Sequence, residues 1–213
     1  MNTDIQGMKQ FFDERAKNWD TMNFHDPEKL NMIVTMAQIP KGGRVLDLAC
    51  GTGVLFEEIL KREPSELLGI DLSDAMIAKA REKFQDSRLK LIAADFFDVQ
   101  ETGFDVITVY SAYPHFLDKV KLVHHLWEVL KPGGRVLVAH SESRHEINHR
   151  HSGGTHVQSV STHLGTVWEE AKFFENCFTL DVLADTPEFY LISGVKIILQ
   201  MRKQVLLRKK FTR

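Results

Sequence analysis

The stretch Val45-Leu46-Asp47-Leu48-Ala49-Cys50-Gly51-Thr52-Gly53, followed some twenty residues on by Leu68-Gly69-Ile70-Asp71, constrains the fold of this chain more than any other feature. An apolar strand ends at an acidic residue and runs into a glycine turn. A helix follows, and a second apolar strand ends in another carboxylate. This is the pattern of a nucleotide-binding half-fold. Gly51 and Gly53 lack a Cβ, so the backbone can turn sharply and a ligand can lie directly against it. Asp71 at a strand tip suits a ribose diol, which offers a carboxylate two hydrogen bonds. The turn departs from the dinucleotide fingerprint, because Phe56 stands where a third glycine belongs. Asp47 would also place a negative charge beside a phosphate, so it better suits a ligand with a cationic, amino-acid-like end.

Strand and helix signals alternate through most of the sequence. Helical apolar spacing covers 11–19 and 28–39, and Pro40-Lys41-Gly42-Gly43 separates the second of these from a strand over 44–48. Helix is predicted over 55–61 and strand over 66–70. Ser73 is placed to cap a helix over 74–84, with Asp74 in its first turn. Strands are predicted at 89–93 and 104–110, a helix at 120–130, and a strand at 135–139 after the Pro132-Gly133-Gly134 break. Alternation of this kind implies a parallel sheet with helices on both faces. Beyond a helix over 167–174, the runs 178–183 and 190–199 read as an antiparallel pair joined at Asp185-Thr186-Pro187.

The composition suits this plan. The 213 residues are 43% hydrophobic, enough for one full core, and the net charge of −2 gives no global reason to expect a nucleic-acid partner. The terminal stretch from Met201 to Arg213 is locally basic, which reads first as a solvated tail. No segment approaches about 18 uninterrupted apolar residues, and the first residues lack a basic patch followed by an apolar run, so the chain reads as cytoplasmic. Two cysteines, Cys50 and Cys177, do not make a disulfide framework.

Four motifs together resemble the class I S-adenosylmethionine-dependent methyltransferases: Asp47 to Gly53, Gly69-Ile70-Asp71-Leu72-Ser73 with Met76, Ala94-Asp95-Phe96, and Leu130-Lys131-Pro132-Gly133-Gly134. The resemblance runs in register over roughly residues 40 to 140. It implies an α/β, doubly wound, mostly parallel seven-stranded Rossmann-like sheet ending in an antiparallel hairpin, with S-adenosyl-L-methionine as cofactor. It further implies that Asp47, with Ala49 and the Gly51 to Gly53 backbone, meets the methionine moiety, that Asp71 holds the ribose hydroxyls, and that Leu72 and Met76 face the adenine. Asp95 would accept from the adenine amino group, with Phe96 beside it and Tyr110 at the neighbouring strand end. A plain cap for the following turn is the other reading of Asp95. The stretch Phe11 to Trp19 resembles the amino-terminal lid of small-molecule methyltransferases, the quinone-methylating group included. Phe11 and Trp19, with Phe12, would close over the cofactor or form an apolar stripe on the core, and the two roles are compatible.

Histidine is the departure from that family pattern. Six of the ten histidines lie between positions 140 and 163, in a segment leaving a central strand where an acceptor would bind. His145 and His149 are candidate catalytic bases, as is His115 in Tyr113-Pro114-His115-Phe116, because an imidazole titrates near neutrality. The spacing His145-Glu146-Ile147-Asn148-His149 puts two imidazoles on one helix face, and His151 adds a third, so His145, His149 and His151 are candidate ligands for a divalent metal. The alternative is a polar loop whose histidines line a substrate mouth.

The parts are read as one methyltransferase domain over 1–213: a helical lid at 1–40, a cofactor-binding core at 41–140, a histidine-rich acceptor-side loop at 141–165, and a helix and hairpin at 166–213. The function expected is methyl transfer to a small-molecule acceptor. The rival readings are a cofactor-binding metalloprotein and a nucleic-acid methyltransferase that uses the basic tail.

Overall fold

A computed structural model describes residues 3–152 and 160–198 of the chain. Seven strands form one sheet: β1 (Arg44–Leu48), β2 (Glu66–Asp71), β3 (Leu89–Ala93), β4 (Phe104–Tyr110), β5 (Leu130–His140), β6 (Phe178–Asp185) and β7 (Tyr190–Lys196). Their order is β3-β2-β1-β4-β5-β7-β6. The first five run parallel, and β7 joins β5 and β6 antiparallel.

The inner strands β1, β2, β4, β5 and β7 are largely buried apolar runs because both faces of the sheet are covered there, whereas the edge strands β3 and β6 are only partly buried. On one face Leu46, Leu48, Ile107, Val109, Val136 and Val138 pack in a cluster that includes residues of α6 (Lys119–Val129), α7 (Arg144–Ser152) and α8 (Val167–Phe174). On the other, Val45, Leu67, Val106 and Leu137 pack with α3 (Pro27–Met36), α4 (Phe56–Leu60) and α5 (Asp74–Lys83). Ahead of the sheet lie α1 (Thr3–Arg15), a 3₁₀ turn at Ala16–Asn18 and α2 (Trp19–Met22). Chain order reverses between β1 and β4, and in an open sheet a crevice forms at the carboxyl ends on either side of such a point.

The amino-terminal helix predicted over 11–19 instead runs from Thr3 to Arg15 and is followed by the 3₁₀ turn and α2, and predicted and observed elements differ in two further places. Strand β5 begins at Leu130, which pairs with Phe104, and the register then shifts so that Arg135 pairs with Val106. Lys131, Pro132 and Gly133 are exposed and leave the ladder as an irregularity within the strand. The segment predicted as a loop over 141–165 contains the helix α7, whose one buried side chain is Ile147. A helix with a single apolar anchor carries almost no periodic signal. His156 and the basic tail lie outside the described residues.

Candidate functional site

A cavity of about 490 Å³ opens at the carboxyl ends of β1, β2, β3 and β4, beneath the amino-terminal helices. Its floor is built by a turn in unusual backbone geometry. Ala49, Gly51 and Gly53 have φ of 56°, 55° and 88°, and Ser111 at the end of β4 has φ 52°. Non-glycine residues held in the left-handed region store strain of order 1 kcal/mol each, and such strain concentrates at ligand sites.

The two predicted glycines do different work. A Cβ on Gly51 would meet only the Trp19 ring nitrogen, 3.9 Å away, so this glycine leaves open space on the cavity wall. A Cβ on Gly53 would lie 2.4 Å from the Phe56 ring and 2.9 Å from Phe84. Gly53 is therefore a packing glycine behind the turn, and it is not among the residues of the cavity wall. The bulky residue in the third-glycine position explains the arrangement: Phe56 is fully buried, and it fits because Gly53 and Gly69 both lack side chains.

Three carboxylates face the cavity from successive strand ends. Asp47 is 2% exposed and accepts a hydrogen bond from the Thr108 hydroxyl at 2.6 Å. Burial pushes its pKa up to about 7; the Thr108 bond opposes this rise and the nearby Asp71 charge adds to it. Asp71 ties two strand ends together, accepting from the Gly51 N–H at 2.8 Å and the Ser73 N–H at 2.9 Å. Burial raises its pKa too, against those backbone bonds. Asp95 accepts from the Phe97 N–H at 3.0 Å and also lines the cavity, so cap and wall roles coincide. Leu72, Met76, Ala49, Phe96 and Tyr110 complete this side.

The lid is docked onto those same strand ends. Asp13 accepts from the Ser73 hydroxyl at 2.5 Å, and Asp20 accepts from the Thr52 hydroxyl at 2.5 Å and from Lys83 at 2.8 Å. His25 Nδ1 lies 2.9 Å from the Tyr110 hydroxyl, which is 2.7 Å from Ser141 Oγ. Phe12 and Trp19 line the cavity, while Phe11 does not: the Arg15 guanidinium covers its ring at 3.6 Å. The wall residues of α1 are Ile5, Met8 and Phe12, an i, i+3, i+7 stripe that extends to the amino-terminal side of the helix predicted from the sequence.

Aromatic and imidazole side chains line the same cavity. His115 lines the cavity, and its Nδ1 is 2.9 Å from the Val160 carbonyl oxygen. A carbonyl only accepts, so Nδ1 carries the proton and Nε2 presents a lone pair. Its ring sits edge-on to Phe12 and to His151, 5.1 Å from each. Burial holds its pKa down at about 4, the Val160 bond opposing and His151 and Lys119 assisting.

The other candidate imidazoles do not gather there. His145 and His149 are exposed and stack on one another at 6.3 Å on the outer face of α7, off the cavity wall. His151, two residues on, points the other way and lines the cavity. Residues i and i+4 share a helix face and i+2 does not, so the three predicted ligands diverge. Among the described residues no group of three or more His, Cys, Asp and Glu side chains is placed to hold a metal ion, and the metal reading is not supported.

Residues 45–134 match a methyltransferase domain family. The chain is 30% identical over 148 residues to a ubiquinone biosynthesis O-methyltransferase of Acinetobacter baumannii, covering 64% of this chain and 62% of that protein. It is 31% identical over 139 residues to malonyl-[acyl-carrier protein] O-methyltransferase 1 of Ilyobacter polytropus, covering 62% of this chain and 51% of that protein. The chain thus spans less than two thirds of the length of these relatives. Its fold is that of N-methyltransferase NodS from Bradyrhizobium japonicum, solved with S-adenosyl-L-homocysteine, at a TM-score of 0.71 and 15% identity over 90% of this chain and all of the other.

Proposed function

We propose that this chain, which matches a methyltransferase domain family over residues 45–134 and resembles the class I S-adenosylmethionine-dependent enzymes, binds S-adenosyl-L-methionine against the carboxylate wall and methylates a small molecule held on the imidazole wall. The observation that carries this reading is the placement of Asp47, Asp71 and Asp95 along one side of a single cavity, with Gly51 opening the turn between them. The donor set fits the cofactor. A buried carboxylate at Asp47 suits an ammonium group, Asp71 a diol, and Asp95 an adenine amino group, and a Cβ at Gly51 would fill part of the same space.

The cofactor supplies a methyl group on a cationic sulfur, an electrophile whose leaving group is a neutral thioether. The protein's task is to hold a nucleophile in line and keep water out. Phe12 and Trp19 cover the cavity from the lid, and their ring faces favour a cationic sulfur. His115 offers a bare Nε2 to take the proton that an oxygen, nitrogen or sulfur nucleophile loses on methylation. That transfer leaves the charge of the closed site unchanged, since one cationic centre disappears as the imidazolium forms. The small-molecule acceptor fits the size of the cavity and the kinds of acceptor in the relatives' names. No helix among the described residues is long and apolar enough to cross a membrane. Cytoplasmic residence belongs to the same reading, as does the absence of a polynucleotide role at a net charge of −2.

Two measurements test the cofactor half. Asp71→Ala is expected to weaken S-adenosylmethionine binding by about 1–3 kcal/mol, the scale for lost charge-assisted hydrogen bonds. Calorimetric titration that finds the variant as tight as the parent overturns the ribose assignment. Affinity should also rise with pH. Burial holds the Asp47 pKa up at about 7, and a cationic ligand favours its carboxylate. Binding below pH 7 therefore releases a proton, weakens by up to about tenfold per pH unit as pH falls, and levels off above 7. In the ligand-free protein the sign is opposite: a carboxyl raised from 3.8 contributes stability that is full at low pH and is lost as pH rises through 7. Asp47→Asn should flatten both dependences, and a parent with pH-independent affinity between 5.5 and 8 would exclude Asp47 as the counter-charge.

A further inference from the structure

Lysine is rarely buried, yet Lys119, in the first turn of α6, is 8% exposed and gives its hydrogen bonds to backbone, with the Glu170 carboxylate near enough to favour its charge. Its Nζ donates to the Tyr113 carbonyl at 2.6 Å and to the Phe116 carbonyl at 2.7 Å, and it lies 4.1 Å from the centre of the Tyr113 ring. Those two carbonyls bracket the 3₁₀ turn Tyr113–His115 that carries the proton-accepting imidazole.

The rest of the turn is fastened with the same thoroughness. The Pro114 carbonyl accepts from the Thr162 N–H at 2.8 Å and the Thr162 hydroxyl at 3.1 Å. The Tyr113 hydroxyl donates at 2.9 Å to Glu170, which is itself 7% exposed and accepts from the Gly165 N–H. The turn is entered through Ser111, a non-glycine residue at φ 52°. A strained entry persists only where its surroundings over-determine it, and the two Lys119 bonds are part of that determination.

We infer that Lys119 is a positioning residue for methyl transfer: by holding the Tyr113 and Phe116 carbonyls it sets the His115 ring against the Val160 carbonyl, so that Nε2 faces the cavity without a proton. Lys119 is not on the cavity wall and contacts neither cofactor nor acceptor in the proposed arrangement. The role rests on the proposed function only in giving His115 its task, and the tautomer itself can be read without cofactor or acceptor.

The experiment is nitrogen NMR of the full chain labelled with ¹⁵N-histidine, the His115 signals being assigned by their loss in His115→Gln. The wild type should show one tautomer, protonated at Nδ1. Lys119→Met keeps much of the stem but removes both bonds, and should convert His115 to a mixture in which the Nε2-protonated form, the usual one in water, takes a major share. Lys119→Gln, whose amide retains two N–H donors, should recover the wild-type spectrum. Lys119→Ser, too short to reach either carbonyl, carries the same expectation as Lys119→Met should that variant not fold. Calorimetry with S-adenosylmethionine should give unchanged affinity in each. A wild-type His115 protonated at Nε2, or an unaltered single tautomer in the variants that lack the bonds, overturns the inference. Loss of cofactor binding in the parent would sink the proposed function and leave the tautomer result standing.

Discussion

Gly51→Val should abolish S-adenosylmethionine binding, by roughly 100-fold or more, while leaving helix and sheet content in place. A Cβ at this position meets no protein atom nearer than 3.9 Å, so the folded chain has room for it and the ligand does not. Overlap of this kind costs about 1–3 kcal/mol, and a branched side chain at φ 55° adds strain of order 1–2 kcal/mol to the turn. Gly53→Ala supplies the contrast. Its Cβ would fall 2.4 Å from the buried Phe56 ring, so the damage there goes to packing, and stability falls first. Circular dichroism with calorimetric titration separates the two cases. A Gly51→Val protein that binds normally would remove the turn from the cofactor site.

The two glycines show where the sequence is legible and where it is not. Both occupy left-handed backbone, which the motif announces, but which one faces the ligand depends on the ring of Phe56 and on Gly69 across the turn. The strand-end carboxylates were readable because each stands out at or just beside the end of an apolar run, and β4 was predicted with its observed limits because it is a nearly continuous buried run. The lid was readable as a helix but not by its face. Starting it at Phe11 concealed the stripe Ile5, Met8 and Phe12, and Phe11 itself is covered by Arg15. Histidine count misled in another way, since density along the sequence says nothing about direction on α7: His145 and His149 face out and His151 faces in. His115, one residue in a short turn, gains its setting from the Val160 carbonyl, a distant contact that no local pattern encodes.

That setting leads to the last expected result. His115→Gln should lower turnover about 100-fold or more, the usual worth of a positioned proton acceptor, with S-adenosylmethionine affinity within about twofold of the parent. The acceptor is found by screening phenols, thiols and amines for release of S-adenosylhomocysteine, and the variant is then compared on the compound that responds. The pH dependence follows from the base form being the active one. With His115 at about 4, its contribution is fully present near neutrality and is lost as pH falls through that value, so the acid limb of the parent's kcat, taken at saturating cofactor, should lie near 4 and be absent from the residual activity of the variant. His145→Gln with His149→Gln is the matched control: two exposed imidazoles off the cavity wall are removed, and turnover should not change. A His115→Gln enzyme as fast as its parent would show that the acceptor arrives already deprotonated, or gives its proton to another group; a control as damaged as His115→Gln would return the reacting centre to the outer face of α7.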